Sequence, residues 1–232
     1  MSNKKILVLG SKYGSELPDI SVDKIYTANA AALRAIKYRE KYPNTELICC
    51  TNGKEFERNL KVEEAILKSM PNKIIFRSNK SKILSISNCE IKILTNKEQI
   101  NFQSNFFNLK KISFYLGELK YRKKNIKETL SYFYNHFKRN SFLGVSTGLF
   151  AILTALHEND GCEIITSGIG FDGGPQFYKS SRDVDQNHIP RARVDAYLMK
   201  NVKKIYLNKI TTLDRNMAMV ANIKIWKGLN IG

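Results

Sequence analysis

The first 76 residues alternate short apolar runs with helical stretches, and this alternation constrains the fold more than any other feature of the chain. Lys5–Leu9 is a strand-sized apolar run that ends in the Gly/Ser loop Gly10–Ser15. Lys24–Thr27, Glu46–Thr51 and Lys73–Phe76 repeat the pattern. Between them, Ala28–Lys41 has an apolar face of helical spacing, and Lys54–Met70 reads as a second helix closed by Pro71-Asn72. Short, almost continuously apolar runs suit strands buried on both faces, and helices between single strands imply parallel pairing. The expectation is an α/β fold: a Rossmann-like, mainly parallel sheet with helices on both faces, in one domain over residues 1–232.

The pattern is weaker from Arg77 to Leu116, where Ile83–Ile86, Ile91–Leu94 and Ile112–Tyr115 are short apolar runs between polar stretches. Asn125–Arg139 has helical spacing, with Tyr132, Phe133, Tyr134 and Phe137 read as a core stripe. After Gly144–Gly148 come an apolar helix (Leu149–His157), a strand (Cys162–Thr166) and a helix (Arg193–Val202). Lys204–Leu207 reads as a final short strand. Residues 171–187, rich in glycine and polar groups, read as a short lid whose segment reaches to about residue 190.

The longest apolar run, Phe142–Leu156, is too short and too interrupted to span a bilayer, so a buried helix is expected. Met1–Lys5 lead straight into the first strand without a secretory signal, and the expected location is the cytoplasm. Cys49, Cys50, Cys89 and Cys162 fit no zinc spacing, and the first two with Cys162 read as buried small hydrophobes. The net charge of +17 comes from dispersed lysines. No recognition-helix or aromatic-basic pattern accompanies it, so nucleic acid is not the expected partner. A solvated surface, or peripheral attraction to an anionic membrane face, are the readings left open.

Ligands of such sheets bind beyond the carboxyl ends of the strands. Gly10–Ser15, Asn29, Thr51–Gly53 and Ser167–Gly170 leave strand ends with small or polar residues suited to a nucleotide. Ser146-Thr147-Gly148 opens the apolar helix. There it reads equally as a phosphate seat on the helix N-terminus or as an ordinary N-cap. Of the three histidines, His188 stands at a loop edge, suited to general-base work. Asp183-Val184-Asp185 has the letters of a metal-binding cluster but follows no strand, so no metal is expected.

Val145–Gly148, the apolar helix and Glu163–Ile169 together resemble the bacterial sialyltransferases of glycosyltransferase family 42. There a Thr-Ser-Gly turn and a strand ending in Ser-Gly-Ile-Asp hold the CMP part of the donor. His188, with Asp195 following, is similar to that family's catalytic histidine segment, and Tyr178 to its lid tyrosine. The resemblance is strongest over residues 144–200. Here the order of Ser and Thr is reversed, and the family's Asp is replaced by Gly170, with Asp172 two positions later.

It implies a GT-A-like, metal-independent, inverting transfer of a nonulosonic acid from a CMP-sugar to a glycan or glycolipid acceptor. His188 and Tyr178 would be catalytic. Gly10, Ser11, Asn29, Asn52, Ser146, Thr147, Gly148, Ser167, Gly168, Ile169 and Asp172 would hold the donor. No cofactor beyond the CMP-activated substrate is implied. The sugar (sialic acid, Kdo or a relative), a homo-oligomer, and a non-catalytic basic binding protein all stay open.

Overall fold

The computed structural model describes residues 4–77, 88–108, 145–172, 176–178 and 188–231. The first half runs β1 (Lys5–Leu9), β2 (Leu17–Pro18), β3 (Lys24–Ala28), a 3-10 turn (Asn29–Ala31), α1 (Ala32–Lys41) and β4 (Glu46–Thr51). It continues through α2 (Gly53–Arg58), α3 (Leu60–Lys68), β5 (Lys73–Phe76), β6 (Glu90–Ile93) and α4 (Asn96–Ser104). The second half holds α5 (Thr147–Glu158), β7 (Glu163–Ser167), α6 (His188–Lys200), α7 (Lys204–Leu207), β8 (Ile210–Thr212) and α8 (Arg215–Ala221). The short strands β9 (Lys224–Ile225) and β10 (Asn230–Ile231) follow.

Eight strands form one sheet in the order β6-β5-β4-β3-β1-β7-β8-β9. Every neighbouring pair in it is parallel. The chain builds outward from β1 through β3, β4, β5 and β6. It then returns to place β7 on the other side of β1 and builds the opposite way. The order of the strands therefore reverses between β1 and β7, which makes the carboxyl ends of these two strands the topological switch point. The expected α/β architecture with a parallel sheet is what the chain forms.

The strand sequences explain the two-sided burial. Side chains along a strand alternate between faces. Ile6, Val8, Tyr26, Ile48 and Cys50 pack on one face under α5, while Leu7, Leu9, Ile25, Leu47 and Cys49 pack on the other with residues of α1 and α3. The neighbouring thiols of Cys49 and Cys50 thus belong to opposite cores. Helix α5 is buried along Leu149–Leu156 and crosses β3, β1 and β4, so it needs no polar face. Among the described residues, no helix is long and apolar enough to cross a membrane.

Several elements differ from the sequence reading. The stretch read as one helix over 54–70 breaks at Asn59, whose backbone is extended (φ −118, ψ 93) and whose amide side chain donates to Glu55 Oε1 at 3.1 Å. Asparagine offers the backbone a local alternative to the helical ladder. Lys204–Leu207, expected as a strand, forms a single helical turn, and the strand falls on Ile210–Thr212, in register with Ile164–Thr166 of β7. A three-residue apolar run cannot distinguish the two by period. Helix α6 begins at His188, five residues before the expected Arg193. Ile83–Ile86, Ile112–Tyr115, Asn125–Arg139 and most of the expected lid lie outside the described residues.

Phe150 is fully buried in α5 with the Arg77 guanidinium 4.6 Å from its ring centroid. Phe150→Ala is expected to lower unfolding free energy by about 3–5 kcal/mol, read from urea denaturation, through the cavity it leaves.

Candidate ligand-binding site

The switch point brings most of the sequence-predicted donor residues into one ridge. Leu9 and Ser167 are register partners at the ends of β1 and β7. Beyond them, Gly10 N donates to Ser167 O at 2.8 Å and Lys12 N to Gly168 O at 3.0 Å, so the two loops stay zipped past the sheet. A Cβ on Gly10 would fall 2.6 Å from Ile169 Cγ1 and closer still to the Gly168 carbonyl oxygen, so only glycine fits there. Gly168 has φ +72°, with Gly10 O 2.7 Å from the position its Cβ would take. Across the ridge, a Cβ on Gly148 would lie 3.4 Å from Ile169 Cγ2, which places the first turn of α5 against the same loop.

The ridge is braced by two cations that the sequence reading did not single out. Arg34, from α1, reaches over the strand ends. Its Nη1 donates to Gly10 O at 2.9 Å and Ser167 O at 3.3 Å, and its Nη2 to Ser15 O at 3.0 Å, Glu16 O at 2.8 Å and Ser167 Oγ at 2.9 Å. Lys12 Nζ donates to Asp172 Oδ2 at 2.7 Å and Asp214 Oδ2 at 3.1 Å, joining the β1 loop to the β7 loop and to the end of β8. Burial would lower the Lys12 pKa, but the bonds and charges of Asp172 and Asp214 outweigh it and leave it raised. Asp214 also caps α8, accepting from Asn216 N and Met217 N at 3.0 and 3.2 Å. An Asp just ahead of a helical stretch was the legible signal for it; Arg34 had none.

A second group of predicted residues meets at the carboxyl ends of β1, β3 and β4. Buried Tyr178 lies beside Ser11 and Asn29, whose side chains favour its ionised form. Asn29 adopts φ +52°, and its Oδ1 accepts from Thr51 Oγ1 at 3.0 Å. Phe177 N donates to Ser11 O at 3.1 Å and Lys12 bridges Gln176 in antiparallel fashion, so residues 176–178 are laid along the β1 loop. Burial, with the charge of Glu55 next in size, pushes the Tyr178 pKa up to about 12, which keeps it a neutral hydroxyl near pH 7. Asn52 stands beside this group, its Oδ1 capping α2 by accepting from Lys54 N at 3.0 Å.

The Ser146 turn is an N-cap: Ser146 Oγ accepts from Leu149 N at 3.2 Å. Its own N–H donates to Asp195 Oδ1 at 2.9 Å, so a buried carboxylate from α6 faces the positive end of α5. Val145 is gripped from behind, its N donating to Gln103 Oε1 at 3.4 Å and its O accepting from Arg77 Nη2 at 2.7 Å. Thr147 and Gly148 are partly exposed, and their N–H groups belong to the first turn, where no helical acceptor exists. His188 opens α6, the helix that carries Asp195. Asp195 therefore ties that helix to the Ser146 turn.

Two outcomes follow from this geometry. Gly10→Ala forces the β1 and β7 loops apart and is expected to cost roughly 3 kcal/mol in urea denaturation. Tyr178 ionises near the ordinary pH of about 10 when unfolded and near about 12 when folded. Its contribution is therefore complete below pH ~10 and fades as pH rises toward ~12. Buried Tyr26 and Tyr38 act in the same direction, so the measurement is a difference: Tyr178→Phe should flatten the fall in melting temperature over that window.

No protein-family model, curated protein or solved structure matches the chain.

Proposed function

We propose that the chain is an inverting, metal-independent glycosyltransferase that moves a nonulosonic acid from a CMP-sugar to a cell-surface glycan or glycolipid. The observation that carries the reading is the meeting of Ser11, Asn29 and Tyr178 at the carboxyl ends of β1 and β3, beside the Gly10–Ile169 ridge. Residues up to 167 positions apart in sequence converge on the edge where doubly wound sheets bind ligands. The resemblance assigns Ser11 and Asn29 to the donor and Tyr178 to catalysis.

In this reading the nucleotide lies over Ser11, Asn29 and Asn52. The phosphate lies near the Gly10–Ser11 and Ser167–Ile169 loops and the first-turn amides of Thr147 and Gly148. His188 takes the proton of the acceptor hydroxyl as its oxygen attacks the anomeric carbon. The bond to phosphate breaks on the opposite side, and CMP leaves with both electrons. Tyr178, un-ionised across the physiological range, is suited to donate a hydrogen bond to that departing phosphate. Asp172, bound to Lys12, holds the loop beneath rather than the ligand itself. The dispersed positive charge suits an acidic glycolipid acceptor and peripheral contact at the inner face of a membrane.

The test is a thermal-shift comparison of CMP, UDP, GDP and S-adenosylmethionine. CMP at a hundredfold excess over its Kd should add about 2.7 kcal/mol of stability; a shift with another nucleotide and none with CMP would sink the reading. His188→Ala should keep CMP binding while lowering turnover by roughly 10²–10⁴-fold.

A further inference from the structure

Among the described residues, Arg34 has no ion-pair partner. All five of its hydrogen bonds end on neutral oxygens: the carbonyls of Gly10, Ser15, Glu16 and Ser167, and the Ser167 hydroxyl. Its remaining donor, Nε–H, has no bond among the described residues. No carboxylate of the described residues forms an ion pair with Arg34. Asp172 and Asp214 bind Lys12, and the Glu16 carboxylate accepts from Asn230 Nδ2 at 2.5 Å. Burial lowers the Arg34 pKa to about 10, with no carboxylate among the described residues offsetting it.

Removing a cation from water without a counter-ion is costly, and buried charges are ordinarily paired. Carbonyl dipoles answer the hydrogen-bonding needs of the guanidinium but leave its net charge in place. That charge lies at the junction of β1 and β7, the switch point where sheets of this kind bind ligands. With the fork engaged on the loops, the guanidinium offers an anion its charge and its Nε–H. Lys12, by contrast, is held directly by two carboxylates.

We propose that Arg34 is the counter-charge for a phosphoryl group bound over the Gly10–Ser11 and Ser167–Gly168 junction. The inference goes beyond the nucleotide-sugar reading, since it requires a phosphate but no particular base or sugar.

The experiment follows the melting temperature of the whole chain in rising sodium phosphate, against sodium chloride of equal ionic strength. It uses the wild type, Arg34→Lys and Arg34→Met, with circular dichroism confirming that each is folded. The wild type should show a saturable rise that Arg34→Met lacks. Arg34→Met also reports the general salting effect of phosphate, which is subtracted. Arg34→Lys keeps the charge but cannot hold the loop oxygens as the fork does, so its midpoint should move to phosphate concentrations on the order of tenfold higher.

If Arg34→Met does not fold, the comparison of wild type with Arg34→Lys decides. No saturable rise in the wild type, or a midpoint unchanged by the substitution, overturns the proposal. Cytidine and CMP separate it from the reading above. Phosphate binding without CMP binding keeps the Arg34 site and sinks the cytidine donor, whereas equal affinity for cytidine and CMP overturns the Arg34 site.

Discussion

The carboxyl edge of the sheet depends on a contact that only glycine allows. Gly10 and Gly168 bring the β1 and β7 loops so close that neither position can carry a Cβ, and the strands continue to exchange backbone bonds beyond the last paired residues. Once the loops are joined, Arg34 can collect their carbonyls with one side chain, and Lys12 can span from the β1 loop to Asp172 and Asp214. Ile169 then meets Gly148, so the orientation of α5 is coupled to the same junction. The site is assembled from backbone proximity first and side-chain chemistry second.

The opposite side of the junction is held by polar groups buried in an otherwise apolar layer. Arg77 donates from Nε to Gln99 and from Nη2 to Val145 O, while lying over Phe150. Gln103 and Asp195 accept from two successive N–H groups, those of Val145 and Ser146. A helix that is apolar on all sides has no preferred rotation about its axis from hydrophobicity alone. These directional bonds at its N-terminus supply one, at the cost of burying groups that must stay paired.

Much of this architecture was legible in the sequence. The bounds of β1, β4 and β5 fall where the apolar runs Lys5–Leu9, Glu46–Thr51 and Lys73–Phe76 begin and end, because strands buried on both faces are apolar throughout and are cut off by Gly, Asn or charged residues. β8 is not legible in the sequence: Ile210–Thr212 is three residues, two of them threonine, and it is a strand because β7 offers it a partner. The grouping of Gly10 with Ser167–Ile169 could be anticipated from strand ends. The role of Arg34 could not, since an arginine on the flank of α1 looks like any solvated helix residue until the loops it reaches are in place. At Ser146 the two readings of the turn were level in the sequence. The structure shows the capping bond and, in Asp195, a carboxylate already at the helix end.

The paired thiols of β4 have a use unrelated to any ligand. Cys49 and Cys50 are both fully buried, each in a different layer, and burial holds both well above the ordinary thiol pKa, Cys49 at about 11. A thiol reagent can reach either only when the layer covering it lifts, whereas the half-buried Cys89 is open to attack from the start. The rates at which the two modify therefore time the opening of each side of the sheet separately. Adjacent residues in this chain serve as two independent clocks, one for the α5 layer and one for the α1–α3 layer.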